Sequence, residues 1–105
     1  MTLDQVIKEV KEKTASFDAS SYDGFLAIQV TLKDLNKVFY LEIKDHKLTV
    51  EPYEYNDRQA HLIISSDNFI KLINQNLNAV MAFTTGKLKV EGDTGKALEL
   101  ANLFK

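Results

Sequence analysis

Between Leu26 and Val50 the chain obeys a period of two. Leu26, Ile28, Val30 and Leu32 alternate with Ala27, Gln29, Thr31 and Lys33. Phe39, Leu41 and Ile43 alternate with Tyr40, Glu42 and Lys44, and Leu48 and Val50 with Thr49 and Glu51. Successive side chains of a strand point to opposite faces, so each run is a strand with one apolar face. The runs predict strands over about residues 24–33, 37–44 and 47–53. The turns are then constrained. If Asp45-His46 is a two-residue turn, Ile43 faces Leu48 and Leu41 faces Val50. In the first hairpin, pairing Lys33 with Val38 sets Val30 opposite Leu41 and Ile28 opposite Ile43. The expectation is an antiparallel meander with one buried and one wet face.

Elsewhere the period changes. Leu3, Val6, Ile7 and Val10 fall at helical spacing opposite Asp4, Lys8, Glu9, Lys11 and Glu12, which predicts a helix over about residues 2–14. Residues 15–23 and 54–59 are polar connections. His61 to Ser65 reads as a fourth strand. Ser66 or Asp67 is placed to cap a helix carrying Phe69, Ile70, Leu72 and Ile73. Asn78 is placed to cap a short helix with Val80, Met81 and Phe83, which Gly86 terminates. Leu88 and Val90 mark a fifth strand. Gly92-Asp93-Thr94 leads into a last helix with Ala97, Leu98, Ala101, Leu103 and Phe104. Helices are therefore expected on one face of a mainly antiparallel five-stranded sheet, an α+β fold.

Length and composition bound the rest. A chain of 105 residues with 45% hydrophobic content supports one core, so residues 1–105 are read as a single domain. Thirteen basic against fifteen acidic residues give a net charge of -2, without the basic surplus of a nucleic-acid binder. There is no cysteine, so disulfides, Cys-based metal sites and a thiol nucleophile are excluded. No apolar stretch approaches the roughly 18 residues of a membrane span. The N-terminus lacks signal-peptide features. A cytoplasmic location is the expectation.

Catalytic constellations are not visible. His46 falls in a turn and His61 on the wet face of strand four. Neither sits in a cluster with metal-ligand spacing. Ser65-Ser66 lacks the Gly-x-Ser-x-Gly setting of a presented nucleophile. Gly86-Lys87 and Gly95-Lys96 suggest a phosphate loop, but the required preceding glycine and following Ser or Thr are missing. No enzyme activity, metal or cofactor is expected. Lys87, Lys89 and Lys96 are close in sequence and could meet the phosphates of an acyl-CoA in a small accessory subunit, but solvated lysines on a wet strand face are the favoured reading.

The run Ala82-Phe83-Thr84-Thr85-Gly86-Lys87-Leu88-Lys89-Val90-Glu91-Gly92-Asp93, preceded by a strand ending in Ser65 and a helix with the early aromatic Phe69, resembles the sterol carrier protein type 2 domain family. At residue level the likeness is concentrated in residues 60–104; the N-terminal half matches by element order. Asn76 departs from the glycine many members carry between the two short helices, and the C-terminus lacks a peroxisomal tripeptide. Both departures fit a free-standing, bacterial relative. The resemblance implies a five-stranded sheet with an apolar tunnel between sheet and helices. It also implies a non-catalytic lipid carrier, whose guest is a fatty acid, acyl-CoA, phospholipid or sterol-like molecule. Phe69, Leu72, Ile73, Val80, Met81, Phe83, Leu98 and Phe104 are its candidate tunnel residues. From the residues alone the same eight side chains would fill an ordinary core. Met81 is the preferred single candidate, because a flexible thioether adapts to varied ligands. An interaction module that docks a partner enzyme or forms a homodimer is the alternative.

Overall fold

The computed structural model describes residues 1–104. Five strands form one sheet: β1 (Leu26–Leu32), β2 (Lys37–Lys44), β3 (Lys47–Glu51), β4 (Ala60–Ile64) and β5 (Leu88–Gly92). Four α-helices accompany it: α1 (Leu3–Thr14), α2 (Ser66–Ile73), α3 (Ala79–Thr84) and α4 (Thr94–Asn102). A single 3-10 turn, Ala19–Ser21, lies in the connection expected to be irregular. The sheet order is β3-β2-β1-β4-β5. Three of its four pairings are antiparallel, and β1 with β4 is parallel. The sheet is therefore mixed, and the fold is α+β as expected.

The second hairpin pairs as expected, with Leu41 opposite Val50 and Ile43 opposite Leu48. Asp45 and His46 both take the left-handed conformation that such a tight turn requires. The first hairpin differs by one step of the ladder. Val30 faces Phe39 and Ile28 faces Leu41, not Leu41 and Ile43. The last pair is Leu32 with Lys37, and residues 33–36 form the loop, with Asn36 left-handed. A side-chain interaction invisible to periodicity anchors this loop. Asp34 accepts from the backbone N–H of Ser66 at 2.7 Å and from its hydroxyl at 2.5 Å. Ser66 is thereby buried, and Ser65 rather than Ser66 or Asp67 caps α2.

Leu26, Ile28, Val30, Leu32, Phe39 and Leu41 face the helices and are buried, in phase across the strands. Phe39 meets Phe69 of α2 edge to face at 5.5 Å. α1 packs over β2 and β3, and α4 over β1, β4 and β5. The opposite face is less wet than the alternation implied. Residues 52–59 cross it on the way from β3 to β4, and Ala27 and Gln29 are buried. Tyr55 donates its backbone N–H to Gln29 and its hydroxyl to Glu42, and stacks edge-on against Tyr40. Gln59 bonds Ala27 and Phe25 with its side chain and accepts from the backbone N–H of Asp93.

Candidate functional site

The helices do not close evenly over the sheet. A cavity of about 240 Å3 lies over β4 and β5. Its floor is Leu62, Leu88 and Val90; α2 contributes Phe69 and Leu72, and α3 contributes Ala79, Val80 and Phe83. α4 lines the remaining side, and Phe104 also borders the space. Two features of the chain create this space. Ala97 and Ala101 lie one turn apart on α4 and present methyl groups where larger side chains would fill the gap. α3 has only six residues, Ala82 being the buried one, so it reaches the sheet through one small side chain.

The rim is apolar and exposed. Val80, Phe83 and Leu98 line the cavity yet are 57%, 49% and 46% exposed. Each contacts the interior along one edge and water along the other. Asn78 caps α3 through Met81 N–H, and left-handed Gly86 follows its end, as expected. Asp93 caps α4 through Lys96 N–H. Among the described residues, Thr94 is the one polar residue lining the cavity.

Six of the eight candidate residues surround this cavity: Phe69, Leu72, Val80, Phe83, Leu98 and Phe104. Two do not. Ile73 is fully buried in the core, one step around α2 from Leu72. Met81, the preferred single candidate, is 63% exposed, because the inward arc of so short a helix is taken by Ala79, Ala82 and the edges of Val80 and Phe83. The lining residues not foreseen are the floor, Leu62, Leu88 and Val90, the small side chains Ala79, Ala97 and Ala101, and Thr94 and Leu100 of α4. The i, i+4 spacing of Ala97 and Ala101 was the available signal for a gap under α4.

The basic cluster does not converge on the cavity. Lys89 lies beside Glu91 at 3.8 Å, and Glu91 also contacts His61 at 3.2 Å. His61 in turn bonds Thr31 at 2.6 Å, on the sheet face away from the helices. Lys96 pairs with Glu99 at 3.2 Å, where the Tyr22 hydroxyl also donates. Burial, followed by the Glu99 carboxylate, pushes the Tyr22 phenol upward. Among the described residues no group of three or more histidines and carboxylates gathers, and no helix is long and apolar enough to cross a membrane.

The model of the SCP-2 sterol transfer family matches residues 3–105. The chain belongs to that family. Hydroxysteroid dehydrogenase-like protein 2 of Xenopus tropicalis is 36% identical over 68 residues, 63% of this chain. This SCP-2 family chain matches only 16% of that relative's length. Sterol carrier protein-2 of Aedes aegypti, solved in complex with palmitate, superimposes with a TM-score of 0.71 at 18% identity, covering 99% of this chain and 96% of its own. A double mutant of the sec-alkyl sulfatase PisA1 from Pseudomonas superimposes with a TM-score of 0.82 at 16% identity, covering 98% of this chain and 16% of the sulfatase. The SCP-2 architecture thus occurs both as a chain of about this size and as a small part of a far longer enzyme.

Proposed function

We propose that this SCP-2 family chain is a non-catalytic lipid-binding domain that shelters the hydrocarbon part of a fatty acid, acyl-CoA or similar lipid. The carrying observation is the 240 Å3 cavity, walled by apolar side chains and opening through the exposed rim of Val80, Phe83 and Leu98. Left empty and enclosed, such a space costs about 24 cal/mol per Å3, or about 6 kcal/mol. That rivals the whole stability of a domain, about 5–15 kcal/mol. A guest chain restores the missing dispersion contacts and removes its own apolar surface from water. The palmitate complex of the Aedes aegypti relative agrees with this reading.

The test is direct. Protein purified without delipidation is analysed by native mass spectrometry, extracted with organic solvent, and then heated with C16–C18 fatty acids. A ligand at 100 times its dissociation constant adds about 2.7 kcal/mol, a rise in Tm of about 10 °C for a domain of this size. Finding no extracted lipid and no shift with any lipid class sinks the proposal.

One observation favours a second reading. Val80, Phe83 and Leu98 are exposed around one cavity mouth, and exposed apolar clusters mark docking surfaces. Under this reading the domain docks a partner enzyme or a second copy. A stable ligand-free dimer on a sizing column supports it, and a lipid-loaded monomer refutes it.

A further inference from the structure

Both ends of the sheet are open edges, and one of them is complementary to itself. β5 ends the order β3-β2-β1-β4-β5, and among the described residues it pairs with β4 alone. Two bonds give the direction of its backbone groups. Asp93 donates its N–H to the Gln59 carbonyl on the β4 side, and the Ile64 carbonyl of β4 is turned the other way, toward β1, where it accepts from Lys33. Alternation along the ladder then turns the N–H and C=O groups of Lys89 and Glu91 toward β4 and those of Leu88, Val90 and Gly92 outward. Among the described residues no other backbone group bonds them there. A free row of this kind is a template for a further strand. We infer that β5 pairs antiparallel with β5 of a second copy of this chain, joining the two sheets about a two-fold axis at Val90.

The charges select this register. With Val90 opposite its own copy, the hydrogen-bonded pairs are Val90 with Val90 and Leu88 with Gly92. Lys89 then faces Glu91 of the second copy, and Glu91 faces Lys89 of the second copy. These fall at the non-hydrogen-bonded positions, where opposed side chains come closest. Both residues are exposed, and within one copy they make only a loose contact of 3.8 Å. Slipping to the next register in either direction sets Lys89 against Lys89 or Glu91 against Glu91. Slipping further sets Lys87 against Lys89 or Glu91 against Asp93. Like charges directly opposite are destabilising. The axis runs perpendicular to the sheet, so the helices of both copies stand on one face. α3 packs on β5, so pairing the strands brings the two α3 helices, with their exposed Val80 and Phe83, to either side of the axis. The opposite edge is less open, because the 3-10 turn Ala19–Ser21 packs against β3. A contact of this isologous kind closes on itself and stops at a dimer. One strand edge is a small interface, so the dimer is weak and depends on concentration. The inference concerns the strand edge and holds whether or not the cavity carries a lipid.

The test is sedimentation equilibrium from about 5 to about 500 µM protein, a range that covers the weak end of specific association. Wild type passes from monomer to dimer across it. Lys89→Glu and Glu91→Lys each turn both cross-strand pairs repulsive, and each weakens association about tenfold. Neither side chain is buried, so each variant keeps the fold. An equimolar mixture of the two variants restores opposite charges at both pairs and forms a heterodimer as readily as wild type dimerises. Lys47→Glu, on the opposite edge, leaves the wild-type association unchanged. A wild type that stays monomeric throughout overturns the inference. Association that survives Lys89→Glu, that the mixture fails to restore, or that Lys47→Glu abolishes overturns it equally.

Discussion

Asp34 holds a structural junction from an exposed loop. Its carboxylate receives both the N–H and the hydroxyl of Ser66, which fastens the β1–β2 loop to the start of α2. These bonds hold its pKa below the usual value of 3.8. A depressed carboxylate stabilises the fold above its unfolded pKa, and that contribution is lost as pH falls through the folded value. Asp34→Ala leaves the buried Ser66 without its acceptor and costs about 1–3 kcal/mol at pH 7. The gap between wild type and variant in urea melts narrows below pH 4. Tyr55 behaves in the opposite sense. Its hydroxyl donates to Glu42 at 2.6 Å, and this bond, with burial, pushes the phenol up to about 12. A raised pKa stabilises the fold below the unfolded value of 10.0, and the contribution is lost as pH rises toward 12. Tyr55→Phe is therefore less stable than wild type at neutral pH, and the difference shrinks between pH 10 and 12. An unchanged difference across that range contradicts the role assigned to the Glu42 bond.

At the level of elements, α3 and β5 contrast. α3 is a turn and a half long, keeps only Ala82 buried, and carries two of the rim residues. Its amides are expected to exchange with solvent faster than those of β4, a strand paired on both sides, and to slow when a lipid fills the cavity. Exchange rates for Ala79–Thr84 that match β4 without ligand argue against α3 as the moving part. β5 has no such freedom where it ends. Gly92 has φ 89°, and a Cβ there would lie 2.7 Å from the backbone oxygen of Gln59. That oxygen already accepts from Asp93, so it has little room to move. Gly92→Ala is expected to cost about 2 kcal/mol or more, read as a lower midpoint in urea.

For the whole molecule, cavity and stability oppose each other. Ala101 borders the cavity, and leucine there would occupy its space. Ala101→Leu should raise the stability of the ligand-free protein by about 1 kcal/mol through added apolar burial. It should also abolish the thermal shift on adding lipid. Loss of stability without loss of lipid binding would mean that the space is not where the lipid sits. Stabilising variants commonly lose function where function requires an imperfectly packed site.

Much of this architecture was legible in the residues. Period-two alternation in Leu26–Val50 marked three strands and their buried faces, and the Asp45-His46 turn set the register of β2 with β3. Asn78 and Gly86 bracketed α3, because caps and left-handed turns are local chemistry. The run from Ala82 to Asp93 carried the family likeness. Long-range placement was not legible. The first hairpin differed from expectation because Asp34 reaches Ser66, 32 residues away, and alternation survives a slip of two residues unchanged. The parallel pairing of β1 with β4, and the covering of Gln29 by the segment after β3, depend on where distant segments meet. The same holds for the cavity. Periodicity identified the apolar stripes of α2, α3 and α4, but the same stripe fills a core or borders a hollow according to how close the neighbouring helix comes. That distance is set by Ala82, Ala97 and Ala101 acting together, so only the folded chain decided that Phe83 edges a cavity while Met81 faces water.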